Sequence, residues 1–225
     1  MQADPDSVNN LAAAAAHQAT LKRMRGALEQ RVLELKDNGF LPEGSAAEGY
    51  AASRQPGAYP VAEVFALANL ASARDAANLP KFIAALENPG EPMRWWAAQG
   101  CTMLRTKAAP AEAALRQRLE DSSGAVQVAA AEALARLGRV DAALPVLERC
   151  LNDTASPWFG LQAANVLERL GEQARPALPT LRAALQRVAQ EDGAQNPLQY
   201  QRRILEHIVA VFDGKEPALV YPAGK

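Results

Sequence analysis

Few residues in this chain could carry acid–base, nucleophilic or metal chemistry, and they are scattered. There are two histidines, His17 and His207, and two cysteines, Cys101 and Cys150. A zinc or catalytic centre needs several such groups at ligand or hydrogen-bonding spacing, and neither histidine has a Cys or carboxylate cluster at that spacing. The sequence also contains no phosphate-binding glycine loop, G-x-S-x-G or H-E-x-x-H motif. We therefore predict no catalytic residue, no metal and no cofactor in this chain.

Three arginines recur at intervals of 33 residues: Arg116, Arg149 and Arg182. Two readings are open, a row of solvated surface charges or a groove for an anion or a partner protein. Relative to the leucine pairs of their helices, the offset of Arg149 differs by one residue, which rotates it by about 100° from the other two. That rotation favours solvated charges.

Tryptophans form the second candidate group. Trp95 and Trp158 are candidates for stacking on sugar rings or for anchoring a protein interface, as exposed tryptophans often do. The alternative is that they and Trp96 fill gaps between helices in an alanine-rich stack, which the pattern favours because bulky residues occupy the widest gaps. The possible interaction surface predicted from the sequence comprises Arg116, Arg149, Arg182, Trp95 and Trp158.

Composition and charge favour a helical protein and disfavour some partners. Hydrophobic residues make up 49% of the 225 residues and aromatic residues only 5%, so most apolar side chains belong to helix-favouring types such as Ala and Leu. A formal net charge of −1 predicts no strong attraction to nucleic acid or to an anionic membrane surface. No run of 18 apolar residues could cross a bilayer. Neither nucleic acid nor a membrane is expected as a partner.

Residues 60–213 are periodic. Alanines and leucines of one predicted helix return 33 residues later in the next unit, and i, i+4 pairs of leucine or phenylalanine mark a second helix in each unit. One such pair of helices cannot bury its own apolar face, but a stack of pairs can. We predict an all-α fold, an α-solenoid of about four helix pairs, with a capping helix near Pro197–Phe212. The positions that repeat are Ala97, Ala130 and Ala163, and Leu104, Leu137 and Leu170.

Three further segments surround the repeats. Residues 1–41 predict an N-terminal helical segment, with a helix from about His17 to Asp37 and Gly39 as the residue that stops it. Proline, glycine and serine are dense in residues 42–59, which predicts an irregular linker, and residues 214–225 are predicted to be an irregular tail. One apolar stripe is expected along the N-terminal helix, formed by Leu21, Met24, Leu28, Val32 and Leu35.

The repeat helices resemble the HEAT-repeat family in its short bacterial form. The first helix of that family reads V-R-x-x-A-A-x-A-L-x-x-L-G, and residues 126–138 read V-Q-V-A-A-A-E-A-L-A-R-L-G. Residues 159–171 match less fully, and residues 93–104 keep Arg94 but place Cys101 where leucine is usual. This resemblance implies an architecture and leaves the function open.

A second resemblance covers residues 3–42. The string A-D-P-D-S-V-N-N-L-A from Ala3 to Ala12 is similar to the C-terminal signature of type I sulfatases, which ends D-P-x-E-x-x-N-L-A. The string L-K-D-N-G-F-L-P, which ends at Pro42, is similar to the end of that family's closing helix. Ser7 replaces the usual acidic residue, and the preceding E-L-Y-D-L strand is missing. Some bacterial sulfatases carry HEAT-like repeats directly after this point, so the resemblance implies a C-terminal piece of such an enzyme.

The sulfatase active site is expected to be absent from this chain. Its nucleophile lies in C-x-P-x-R or S-x-P-x-R, and the string C-T-M-L-R from Cys101 to Arg105 imitates this motif with Met103 in place of proline. Cys101 stands at the repeat position of Leu134 and Leu167, so we predict a core residue. The Asp, Asn and His ligands that the family uses for a Ca²⁺-type cation have no counterpart here.

Two functions from different classes follow. The first is a non-catalytic accessory region that docks onto a sulfatase catalytic domain in cis, shapes its substrate cleft or mediates assembly. The second is a free-standing HEAT-repeat scaffold that binds another protein. A glycan-binding module built on the tryptophans is a third reading. The resemblance implies a periplasmic or secreted location if the parent is an exported sulfatase, and a cytoplasmic location otherwise.

Overall fold

The computed structural model describes residues 9–154, 156–190 and 197–219, and this part of the chain contains helices, turns and irregular segments but no strand. The first part of the sulfatase-like signature, Ala3 to Val8, and the tail residues 220–225 lie outside the described residues. The α-helices are α1 Gln18–Leu35, α2 Tyr50–Ser53, α3 Val61–Ser72, α4 Leu79–Ala85, α5 Glu91–Leu104, α6 Glu112–Gln117, α7 Gly124–Arg136, α8 Val140–Leu151, α9 Pro157–Leu170, α10 Leu178–Val188 and α11 Pro197–Phe212.

Helices α3 to α10 form four successive pairs, α3/α4, α5/α6, α7/α8 and α9/α10, and α11 packs on α9 and α10. The first helices pack directly on one another in the order α3, α5, α7, α9. The second helices α4, α6 and α8 each pack on the first helix of the following pair, and α10 packs on α11. The predicted all-α solenoid of four helix pairs with a capping helix is confirmed.

Small residues allow the first helices to lie close together. Alanines on α5, α7 and α9 are fully buried between neighbouring helices. Burial of the backbone beside them costs little, because its N–H and C=O groups are hydrogen-bonded within each helix. Gly100 in α5 has no room for a side chain, because a Cβ there would lie 2.8 Å from the buried ring of Phe82. These contacts join one continuous core through all four pairs. The fully buried alanines of α5, α7 and α9 are Ala97, Ala98, Ala125, Ala130, Ala131, Ala163 and Ala164.

A buried ion pair joins α5 to the turn between the second and third pairs. Arg94 Nε and Nη2 donate to the two carboxylate oxygens of Asp121, at 2.7 and 2.8 Å. Arg94 Nη1 also donates to the carbonyl oxygens of Asn88 and Pro89. Burial by itself would raise the pKa of Asp121, but the hydrogen bonds from Arg94 and the backbone N–H of Ser123 lower it below the usual value. Asp121 is therefore held as an anion in the interior.

Helix α1 ends earlier than predicted. Gly39 was expected to end it, but the helix ends at Leu35 and Lys36 takes the left-handed conformation, with φ 47° and ψ 57°. The backbone N–H of Asp37 then donates to the Val32 carbonyl at 3.0 Å. Gly39 lies in a following 3-10 turn, where its N–H donates to the Asp37 side chain. The sequence does not indicate that Lys36 adopts this conformation, so the predicted end of α1 lies beyond the observed one.

The segment after α1, which includes part of the predicted linker of residues 42–59, is anchored along the repeats. We call residues 40–49 the strap. Ser45 Oγ donates to Glu91 Oε2 at 2.6 Å, and Ser123 Oγ donates to Glu91 Oε1 at 2.5 Å. Further along the stack, Gln162 in α9 donates to the Glu43 carbonyl at 2.9 Å. The strap thus contacts residues of the second and fourth pairs and includes the buried Ser45.

We expect Gly100→Ala to lower the free energy of unfolding by about 1–3 kcal/mol, because the new methyl group collides with the buried Phe82 ring. Gly26→Ala is the matched control, since Gly26 also lies inside a helix but a Cβ there has nothing within 4 Å. That control should raise the free energy of unfolding by about 0.5–1 kcal/mol. Urea unfolding followed by circular dichroism measures both. Equal stabilisation by the two substitutions would contradict the close packing.

We expect Arg94→Met to destabilise the protein by about 3–5 kcal/mol at pH 7, because it leaves Asp121 buried without its partner. The pKa of Asp121 is lowered by folding, so its contribution is present at neutral pH and is lost as the pH falls below the usual aspartate value of about 3.9. The variant should therefore lose less stability than the wild type between pH 5 and pH 2, measured as thermal unfolding. Arg31→Met, which removes an exposed pair with Glu34, should change stability by less than about 1 kcal/mol.

Candidate interaction surfaces

The first predicted arginine, Arg116, is paired with an acidic residue of its own helix. Its Nη2 lies 2.9 Å from Glu112 Oε1. Glu112 also accepts hydrogen bonds from Arg139, and these, together with those from Arg116, lower the pKa of Glu112. The Glu112 carboxylate thus pairs with two arginines, Arg116 of the second helix pair and Arg139 at the start of α8 in the third.

Arg149 and Arg182 are also engaged. Arg149 Nη2 donates to the Leu119 carbonyl at 2.8 Å, and Nη1 lies 3.3 Å from Glu120. Arg182 Nη2 lies 2.6 Å from Asp213. The three predicted arginines therefore lie on successive second helices, but each has its own partner, and among the described residues no shared acceptor joins them. An anion bound along this row would have to compete with the existing pairs.

Trp95 and Trp96 are partly buried and pack against each other edge to face, with ring centroids 5.1 Å apart. Trp96 Nε1–H donates to the Phe40 carbonyl at 2.8 Å, and its ring lies 6.2 Å from the Phe40 ring. Phe40 in turn packs edge to face on Phe65 of α3. These contacts support the packing interpretation for this pair, which fastens the start of the strap to the first two repeats.

Trp158 lies at the start of α9, beside the strap. It is partly buried, and a Cβ at Gly44 would lie 3.0 Å from the Trp158 Cβ. Gly44 has φ +80°, so both its conformation and its surroundings favour glycine. Trp158 therefore supports the far end of the strap, and its role on a glycan or protein surface stays a prediction.

The cysteines lie in the core. Cys101 is 1% exposed, and burial raises the pKa of its thiol to about 12. Burial also raises the pKa of Cys150, to about 11, although Arg149 acts in the opposite direction. A thiol with a raised pKa is a poor nucleophile, since the thiolate is the reactive form. Cys101 therefore has the core environment that the repeat period predicts.

The two histidines are far apart in the fold. His17 belongs to a 3-10 turn before α1, whereas His207 lies on α11 with Nδ1 2.8 Å from Glu168 Oε1. Glu216 approaches Nε2 at 3.9 Å. Sequence reasoning missed these carboxylates, because Glu168 comes from α9 and meets His207 only through the packing of α11. In the described part of the chain, no group of three or more His, Cys, Asp or Glu side chains is placed to hold a metal ion.

Helix α1 presents apolar side chains to solvent. Of the predicted stripe, Val32 is buried against Tyr59 and α3 in a small second core, but Met24, Leu28 and Leu35 are 63%, 58% and 49% exposed. Exposed apolar side chains in a row along one helix are unusual for a surface that faces only water. This surface, which we call the α1 face, is not covered by any of the described residues.

Comparison with known proteins identifies the repeats. Residues 112–193 match the family model described as HEAT repeats, which confirms the HEAT resemblance for that part of the chain. No curated protein matches the chain. A designed armadillo repeat protein, solved in complex with a (KR)4 peptide, is similar over 92% of each chain, with 18% identity and a TM-score of 0.46. None of the helices in the described ranges is long and apolar enough to cross a bilayer.

We expect both thiols to resist labelling by a disulfide reagent at pH 8 in the folded protein, since burial raises the pKa of Cys101 to about 12 and that of Cys150 to about 11. Denaturant should expose two reactive thiols per chain, which is the internal control. Rapid stoichiometric labelling of the native protein would show that one cysteine is an accessible nucleophile.

Proposed function

We propose that this chain is a non-catalytic C-terminal accessory region of a sulfatase-like hydrolase. In this proposal the HEAT-type repeats form a rigid interaction scaffold, and α1 docks onto the catalytic domain. The observation that carries the proposal is the exposed α1 face. It lies on the segment whose sequence resembles the end of a sulfatase catalytic domain.

The α1 face has the properties of a docking surface. Burying one Leu or Met side chain is worth about 1.5–3 kcal/mol, so covering Met24, Leu28 and Leu35 would supply several kcal/mol. Arg23 and Gln30, on the other side of the helix, are polar and exposed. Helix α1 therefore presents a row of uncovered apolar side chains, with the exposed Arg31 beside them. A neighbouring domain that covers it would account for that arrangement.

The end of α1 is fixed to the segment that leads into α3, which supports a structural role for docking. Tyr59 Oη donates to the Asp37 carbonyl at 2.6 Å, and Arg54 Nη2 donates to the Leu35 carbonyl at 2.5 Å. Burial, followed by the charge of Asp37, raises the pKa of Tyr59 to about 12, so this hydroxyl stays a donor at physiological pH. A domain held by α1 would therefore have a set orientation relative to the helix pairs.

The second candidate is a free-standing HEAT-repeat scaffold that binds another protein. The match of residues 112–193 to HEAT repeats favours it, because repeat stacks present extended binding surfaces. The DNA upstream of Met1 discriminates the two candidates. An in-frame E-L-Y-D-L and a distant C-x-P-S-R favour the accessory region, whereas a ribosome-binding site directly before Met1 favours the free-standing scaffold.

The chain alone should not hydrolyse sulfate esters. We expect no turnover of an aryl sulfate above the rate of a buffer blank, because the family's nucleophile motif and its metal ligands have no counterpart here. Turnover that survives purification and is lost on heat denaturation would contradict the proposal.

The double substitution Met24→Glu, Leu28→Glu tests the α1 face. It should change the free energy of unfolding by less than about 0.5 kcal/mol, since both side chains are exposed, and it should abolish association with the catalytic polypeptide encoded upstream. Arg23→Glu on the other side of α1 makes the same change in net charge and should leave association intact. Co-purification and analytical ultracentrifugation measure association. If the double variant unfolds, or if both variants bind equally well, the α1 face is not the docking surface.

A further inference from the structure

A polar cavity opens at the carboxyl ends of three successive first helices, α5, α7 and α9. It has a volume of about 370 Å³, and its lining includes Arg105, Arg136, Arg169, Thr106 and Gln173. None of these side chains belongs to the α1 face or to the predicted row of arginines. The cavity is therefore a separate feature of the stack.

The repeat period brings the arginines together. Arg136 and Arg169 occupy the same repeat position, directly before Leu137 and Leu170, so stacking of α7 on α9 places them side by side. Arg105 follows Leu104 at the end of α5 and adds a third guanidinium from the preceding pair. Three planar donor groups from three helices thus line one opening.

Positive charge exceeds negative charge here. Glu132, which is buried, accepts two hydrogen bonds from Arg169, at 3.0 and 2.7 Å, and lies 3.5 Å from Arg136. Arg105 is exposed and has no ion pair with any of the described residues. Three guanidinium groups therefore share one carboxylate, which leaves a surplus of two positive charges.

The backbone of Arg105 is strained. Its φ of 54° and ψ of −132° nearly equal those of Gly171, at φ 55° and ψ −128°, which occupies the corresponding place after α9. Gly138, after α7, also has a positive φ of 80°. A side chain in this region is costly, and glycine normally occupies it. Two of the three helices end in glycine here, and the third carries the unpaired arginine of the cavity.

We propose that this cavity binds a tetrahedral dianion: free sulfate, free hydrogen phosphate or a phosphate monoester. The charge of such an ion equals the formal surplus of two on these side chains, and guanidinium groups match its oxygens through paired hydrogen bonds. Thr106 and Gln173 supply neutral donors at the same opening. The cavity is larger than one such ion, so it has space for the group that a monoester carries. This inference does not depend on the proposed sulfatase connection.

Isothermal titration at pH 8 with inorganic phosphate, inorganic sulfate and phenyl phosphate, all of them dianions at that pH, tests the proposal. Arg105→Gly and Arg136→Ala should each weaken binding about tenfold or more, because each removes a charge-assisted hydrogen-bond donor. Arg116→Ala removes the same charge from a paired site elsewhere and should leave the affinity unchanged. Arg105→Gly also relieves the backbone strain, so without anion it should unfold at a higher temperature than the wild type. A loss of affinity in that variant would then not result from unfolding.

The two kinds of probe distinguish the source of the dianion. Equal affinity for ions and monoesters indicates a site for the free ion, and tighter binding of a monoester indicates a site for the esterified group; both support the proposal. Absence of binding at millimolar concentration, or binding that survives in both cavity variants, overturns it. A response to sodium chloride at matched ionic strength that equals the response to the dianions also overturns it.

Discussion

Small residues allow the first helices to lie close together at several of their contact positions. Fully buried alanines in α5, α7 and α9 occupy these positions. A Cβ at Gly100 would collide with the ring of Phe82, and one at Gly124 would lie even closer to the ring of Phe159. Because interiors are packed at the density of organic crystals, this spacing leaves little freedom in how one pair sits on the next. The positions of all other groups follow from it.

The polar contacts between pairs depend on that spacing. Arg169 of the fourth pair reaches Glu132 of the third, and Arg149 of the third pair reaches the Leu119 carbonyl after α6 of the second. Arg94 in α5 reaches Asp121 in the turn between the second and third pairs. The first two bonds link neighbouring pairs directly, and each requires a fixed distance between them. The same register places the guanidinium groups of the cavity at one opening. The apolar contacts therefore fix the spacing between helix pairs, and the charged side chains form hydrogen bonds at the distances that this spacing allows.

The period of 33 residues was enough to predict the helix pairs and the core position of Cys101, because each pair repeats the same local pattern. Other features arise from contacts between distant parts of the chain. Local sequence patterns do not predict that Gln162 contacts Glu43 or that His207 contacts Glu168, because these residues are far apart in the chain. In the sequence, Arg105 is only the last residue of the string C-T-M-L-R, which resembles the sulfatase nucleophile motif. Its glycine-like backbone is visible only in the folded chain.

The strap adds contacts between helix pairs that are not neighbours. In a solenoid each unit contacts only the next, so its stability is approximately a sum of terms from single units and from adjacent interfaces. Here the Phe40 ring packs on Phe65 of α3 and lies near Trp96 of α5, and four residues later Gly44 lies against Trp158 and Phe159 of α9. The strap therefore connects the first pair to the fourth. Because of this connection, we expect the two ends of the stack to unfold more cooperatively than nearest-neighbour contacts alone would allow.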